Sequence, residues 1–242
     1  MYKAIVVGGG SLGEAFCIET ARRATALNVP LEIVIVDYDT VEERNVASQG
    51  FTPSDIGKLK CEVIAEKLSH YPLLTVSALP EKVTKDNIYD IIPTDPSTVV
   101  IDSVDNYEAR RLLWHSSLVT QNPVLHLSMS TEGDGYVAWN YGTEVDTFPL
   151  SPVQLSQEKQ EKLCQRVEDK LPPCQLNSFR SLIFNTSFCG VNAFFMALGM
   201  DNTKTFVDEE GNDNILKGMF TYWRTQPNKY WLVPELTKIA EW

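Results

Sequence analysis

Gly8, Gly10 and Gly13 fall in the spacing Gly-x-Gly-x-x-Gly, directly after the apolar run Ala4 to Val7. Glycines so spaced make a turn that can cradle phosphate. The first permits the tight turn, the second lets the backbone approach the anion, and the third lets the next helix pack on the strand. The helix N-terminus adds unbonded N–H groups and the positive end of its dipole. Asp37 ends the next apolar run, where a carboxylate can accept hydrogen bonds from ribose hydroxyls. Alone, these residues indicate a dinucleotide or an adenine nucleotide without choosing between them. The obvious reading is an NAD-dependent oxidoreductase. It ranks low, because 242 residues leave little room for a second catalytic domain.

The elements that must position these residues follow from apolar periodicity. Residues Ala4 to Val7, a helix from about Leu12 to Ala26 and the strand Leu31 to Val36 make one βαβ unit. A second amphipathic helix spans Gly57 to His70, with Val63, Ile64 and Leu68 on one face. Leu74 to Leu79 and Thr98 to Ile101 read as strands, the latter ending at Asp102. Glu108 to Leu118 reads as a helix, and Val124 to Ser128 and Gly135 to Trp139 as further strands. A long apolar helix follows at Ser181 to Leu198. Met219 to Arg224 and Tyr230 to Val233 flank a Gln-Pro-Asn turn, the pattern of a hairpin. The expected fold is α/β and Rossmann-like: a mainly parallel sheet flanked by helices, with antiparallel strands in the C-terminal half. One domain is expected over 1–242. It divides into a nucleotide-binding half (1–140), a mobile crossover excursion rich in Gln, Glu, Lys and Pro (141–173), and a C-terminal helix with an aromatic hairpin (174–242).

Net charge is −11, a field that repels nucleic acid and anionic lipid, so neither is expected as a partner. The same field repels a triphosphate, so any nucleotide site must gather its own positive potential. The five cysteines are scattered and form no Cys-x-x-Cys pair. That pattern suits free thiols in a reducing compartment. The N-terminal apolar run is too short for a signal peptide and no later segment approaches a membrane span, so a cytoplasmic protein is expected. His70, His115 and His126 lack metal-ligand spacing and read as structural. Cys17, Cys61 and Cys189 sit in helical patterns and read as core.

Three further motifs follow in order: Asp37-Tyr38-Asp39 with Asn45 and Gln49, then Gly57-Lys58-Leu59-Lys60, then Asp102-Ser103-Val104-Asp105-Asn106 with Arg110. Together with the glycine turn they resemble the ThiF/MoeB/ubiquitin-activating family, from about Met1 to Trp139 and more loosely across Cys174 to Leu198. The resemblance implies an adenylyltransferase that uses Mg2+ and ATP to adenylate the C-terminal carboxylate of a small ubiquitin-like or sulfur-carrier protein or peptide. It also implies a homodimer. It places Gly8, Gly10, Ser11, Leu12, Gly13, Asp37, Asp39, Val104 and Asn106 around the nucleotide, with Asp37 on the ribose. Asn45, Gln49 and Lys60 fall to the phosphates and Asp105 to the magnesium. These types suit the chemistry. Attack on an α-phosphate brings negative charge onto negative charge, so catalysis is positioning and neutralisation.

Two departures matter. Ser48 stands where the family has an arginine, and a lost arginine in comparable phosphoryl-transfer sites can cost about 10³-fold in rate. Arg44, four residues earlier, and Lys58 are the candidates to replace it. Alternatively, the chain is a non-catalytic nucleotide-binding scaffold that pairs with an active subunit. Cys174 resembles the family cysteine that accepts the activated acyl group, and Cys164 is a weaker candidate nearby. Trp223, Tyr230 and Trp231 read as hairpin packing more than as a docking surface.

Overall fold

A computed structural model describes residues 2–95, 97–129, 134–140, 180–198, 220–224 and 235–236. Five parallel strands form the body of the sheet: β1 (Tyr2–Val7), β2 (Leu31–Val36), β3 (Leu74–Leu79), β4 (Thr98–Asp102) and β5 (Val124–Met129). Their order is β3-β2-β1-β4-β5. Next to β5 the structure sets β6 (Asp134–Asn140), antiparallel to it, then the short β7 (Phe220–Arg224) and β8 (Glu235–Leu236).

Among the described residues, six helices accompany the sheet: α1 (Ser11–Leu27), α2 (Glu43–Ser48), α3 (Lys60–Leu68), α4 (Ile88–Ile91), α5 (Tyr107–Thr120) and α6 (Arg180–Ala197). Both faces of the sheet are apolar, as buried parallel strands require. Along β1, Ala4 and Val6 join one core cluster with Phe16, Ile64 and Phe194, whereas Ile5 and Val7 join the other with Ile88 and Leu113. So α1, α3 and α6 cover one face, and α4 and α5 the other. Phe194 meets Phe16 edge-on at 5.8 Å, which seats α6 on α1.

The strands and long helices fall where periodicity puts them, with shifts of one or two residues at most ends. The exception is the second helix. It starts at Lys60 rather than Gly57, because the chain before it is otherwise engaged. Gly57 takes φ +86°, and Leu59 forms an antiparallel bridge with Thr40. The expected crossover excursion, with Cys164 and Cys174, lies outside the described residues, as do Tyr230 and Trp231. Among the described residues, no helix is long and apolar enough to cross a membrane.

Candidate nucleotide site

β1 lies between β2 and β4, so the chain moves one way from β1 and then returns to its other side. In open α/β sheets, ligands bind at such a reversal, outside the carboxyl ends of the strands. The turn after β1, the segment after β2 and the turn after β4 all meet there.

Gly8 adopts φ +99°, and a Cβ on it would lie 2.9 Å from the Ser103 carbonyl oxygen. Both the left-handed backbone and the close approach demand glycine. A Cβ on Gly13 would stand 1.9 Å from the Gly8 carbonyl oxygen, so the third glycine is what lets α1 sit against the turn. Gly10 differs. Its φ is an ordinary −75°, and a Cβ there would meet nothing within 4 Å. The folded chain by itself does not require glycine at this position. Gly10 also caps α1 without any side-chain hydrogen bond, so the first N–H groups of that helix have no side-chain acceptor there. Ser11 is buried, and its hydroxyl makes a long 3.5 Å contact with the Ser48 carbonyl. The Leu12 side chain belongs to the core, which leaves only its main chain to face a ligand.

Asp37 is buried, and it ties this turn to the next wall. Its Oδ2 accepts from the Gly9 N–H, and its Oδ1 from the Asp39 N–H at 2.8 Å. Burial pushes its pKa above the usual carboxylate range, against the pull of those two bonds and of Lys60. The carboxylate therefore shapes the glycine turn before any ribose arrives, though each oxygen keeps a second lone pair. Lys60 opens α3 as a buried cation, its Nζ 3.1 Å from Asp39 Oδ2. Its main-chain N–H also donates to the Asp39 carbonyl at 2.9 Å.

The wall made by α2 is shaped by a capping box. Asn45 Oδ1 accepts from the Glu42 N–H at 2.8 Å. That bond fixes the amide so that its NH2 end remains to donate, the end a phosphate needs. Gln49 Oε1 is buried without a hydrogen-bond partner among the described residues. Ser48 turns away: its hydroxyl donates back to the Arg44 carbonyl at 3.1 Å. Neither expected replacement for the family arginine stands ready. Arg44 is exposed and forks onto Glu42, at 2.5 and 3.1 Å. Lys58 pairs with Asp55 at 3.1 Å.

The third wall is the turn after β4, which abuts Gly8 through Ser103 and Val104. Asn106, rather than Asp105, caps α5, accepting from the Ala109 N–H at 2.8 Å. Asp105 is thereby left exposed, with no hydrogen bond or ion pair to the described residues. Val104 is already committed. Its N–H donates to Asp102 Oδ1 at 3.2 Å, and its carbonyl accepts from Arg110 at 2.6 Å. Lys60 and Asp105 thus flank one glycine turn, Lys60 through Asp39 and Asp37, Asp105 through the turn after β4.

Two groups escape a reading of the sequence. Glu14, buried in the first turn of α1, accepts from the Gly50 N–H and from Lys67, both at 2.5 Å. It holds the segment after Gln49 against α1. Asp102, fully buried at the end of β4, meets His126 Nδ1 at 2.5 Å and Arg110 Nε at 3.4 Å. His126 is its direct neighbour across the strands, in the β4–β5 register. Burial alone would raise the Asp102 pKa; the charge of Arg110 and the bond from His126 outweigh it and hold the carboxyl low. Of the cysteines, Cys17 and Cys61 are buried, and burial raises both thiols. Cys189 is half-buried against the core and pushed up to about 11. None of the three is an activated nucleophile.

The sequence profile of the ThiF family matches residues 1–221. This chain belongs to the ThiF family. It is 28% identical over 151 residues to ubiquitin-like modifier-activating enzyme 5 of Drosophila grimshawi, covering 53% of this chain and 37% of that enzyme. It is 26% identical over 189 residues to ubiquitin-like modifier-activating enzyme 1 of Mus musculus, covering 76% of this chain and 16% of that enzyme. The ThiF-family chain thus spans well under half the length of these relatives. Its fold is similar to that of E. coli MccB crystallised with MccA-N7isoASN, at TM-score 0.70 and 13% identity, over 96% of this chain and 64% of that one. MccB crystallised with ATP gives TM-score 0.66 at 13% identity, over 99% and 64% of the two chains.

Proposed function

We propose that this ThiF-family chain uses ATP to adenylate a carboxylate, most simply the free C-terminus of a small ubiquitin-like or sulfur-carrier protein or peptide. The observation that carries the reading is the glycine turn after β1 at the strand-order reversal, where a Cβ on Gly10 would meet nothing within 4 Å and where Asp37 ties the turn to the segment that holds the buried Lys60. The relatives support it: one group is named for activating ubiquitin-like modifiers, and MccB was crystallised with ATP and with a MccA peptide.

The residues fit a magnesium nucleotide. The α1 amides and Lys60 supply the positive potential that an acidic chain otherwise lacks. Lys60 would exchange its bond to Asp39 for phosphate oxygens, and the Asn45 NH2 would add a neutral donor. Asp37 would take the ribose on its remaining lone pairs. Among the described residues, no group of three or more His, Cys, Asp or Glu side chains could hold a metal unaided. Magnesium would instead be held by Asp105, phosphate oxygens and water, as this ion often is, and would neutralise phosphate charge. The reaction joins a carboxylate oxygen to the α-phosphorus and breaks its bond to the bridging oxygen, and pyrophosphate departs. A following transfer would move the acyl group to the Cys174 thiolate and release AMP.

The test is ATP–pyrophosphate exchange with peptides ending in a free carboxylate, Gly-Gly first. Exchange is expected in the parent chain and in Cys174→Ser, and should vanish in Asp105→Ala. Exchange that survives loss of Asp105 removes that residue from the site.

One observation favours a second reading, a nucleotide-binding scaffold for an active partner subunit. Ser48 offers no charge, and both nearby cations are paired with acids. ATP bound without release of pyrophosphate or AMP, whatever carboxylate is offered, would select it.

A further inference from the structure

Asp102 lies at the junction of three elements and is sealed from water. Its Oδ1 receives the Val104 N–H, and its Oδ2 faces His126 and Arg110. An ionised carboxylate only accepts, so His126 Nδ1 is the donor in their bond. His126 is itself buried and stacks on Trp114, with ring centroids 5.1 Å apart. Its Nε2 has no hydrogen-bond partner among the described residues. Arg110 reaches back from α5 to the Val104 carbonyl and also to the Leu127 carbonyl, at 3.2 Å. Both main-chain groups of Val104 are therefore held by one ionic cluster, and the next residue is Asp105.

We propose that His126 and Arg110 are positioning residues: through Asp102 they fix the turn of residues 103–106 and so set where the Asp105 carboxylate stands. The inference rests on the functional reading above, because that reading gives Asp105 its task. Asp102 and Arg110 alone would neutralise each other while leaving the second lone pair of Oδ2 unsatisfied in the interior. His126 supplies that missing donor, and the stacked Trp114 ring limits its rotation. A buried carboxylate faced by three directed groups, one on Oδ1 and two on Oδ2, is held in one orientation, and the Val104 peptide inherits it. Asp105 then meets a cation with its main chain already ordered, so less freedom is lost on binding.

Two measurements on the whole chain test this in His126→Leu, His126→Asn and Arg110→Lys. The first is amide hydrogen exchange in the nucleotide-free protein. Protection of the Val104 N–H should fall about tenfold or more in His126→Leu and Arg110→Lys, while Val100 in mid-β4 stays within about twofold. His126→Asn keeps a donor and should recover most of the protection. The second is calorimetric ATP binding with and without magnesium. The two disruptive variants should need about five- to tenfold more magnesium for half-maximal effect, with magnesium-free affinity unchanged. Val104 protection within twofold of the parent in both disruptive variants overturns the proposal. So does an unchanged magnesium dependence beside a loosened turn, for the cluster is then only structural. If His126→Leu does not fold, Arg110→Lys alone carries both outcomes. A parent chain that binds no nucleotide overturns the functional reading instead, and the exchange arm still decides whether the cluster holds the turn.

Discussion

Two carboxylates at strand ends face cations in this molecule, and their surroundings differ sharply. Asp39 meets Lys60 at 3.1 Å with nearly half of its side chain in water, 49% exposed. Asp102 meets Arg110 and His126 with none of its side chain exposed. A half-exposed acid can release its lysine to an incoming phosphate and be hydrated at once. A sealed one cannot, because an unpaired charge in the interior is costly. The first pair suits a cation that must change partners. The second suits a turn that must hold still.

Substitutions can break that contrast. Asp102→Asn should have the largest effect. It removes the charge of a fully buried carboxylate that both Arg110 and His126 face, and should lower unfolding free energy by roughly 3–5 kcal/mol in urea. A loss under about 1 kcal/mol would mean that the cluster is hydrated after all. Lys60→Ala should show the opposite profile. ATP affinity should fall about a hundredfold by calorimetry, equivalent to about 2.7 kcal/mol, while stability changes by no more than about 1 kcal/mol. Gly10→Ala sharpens the same division. Its added methyl meets open space, so stability should stay within about 0.5 kcal/mol while ATP binding weakens at least tenfold.

Acid titration tests the carboxylates whose pKa values the fold depresses. Asp55 is held down to about 2 by the Thr52 hydroxyl and N–H and by Lys58, and Asp102 is also held below its ordinary value. Both folded pKa values are depressed, so their contributions are complete above the unfolded carboxylate range. That of Asp55 is lost as pH falls towards about 2, and that of Asp102 as pH falls below the ordinary carboxylate value. Thr52→Val should therefore lower stability at neutral pH and flatten its acid limb, with the difference from the parent closing as pH falls towards 2. Asp39→Asn should cost under about 1 kcal/mol in urea, because this acid is half in water and Asp37 still faces Lys60.

Much of this was legible in order along the chain. The glycine spacing gave the turn, and structure assigns Gly8 and Gly13 the steric roles their positions suggest. Apolar runs marked the strands because both faces of a parallel sheet are buried. Asn45, Lys60 and Asp105 are singled out as candidates by their order within a family pattern. Glu14 and the Asp102 cluster were not. Glu14 looks like a surface acid until Gly50 and Lys67 fold over it. Asp102 and His126 become partners only through the β4–β5 register, and a strand-end acid carries no mark of the strand beside it. Asn106 caps α5 in place of Asp105 because its Oδ1 reaches the Ala109 N–H, a competition that residue type alone leaves undecided. Arg44 was the natural substitute for a missing arginine by spacing, but Glu42 two residues earlier claims it.

The bond from Gly9 to Asp37 has an experimental consequence. If Asp37 holds the ribose as proposed, altering that acid perturbs the curvature of the loop and the hold on the sugar in the same stroke, so an affinity lost in Asp37→Ala carries both effects mixed. Sugar recognition is better interrogated from the other molecule. With the protein unaltered, 2′,3′-dideoxy-ATP removes the hydroxyls while the loop keeps its shape, and the drop in affinity relative to ATP isolates what that carboxylate contributes to the ribose.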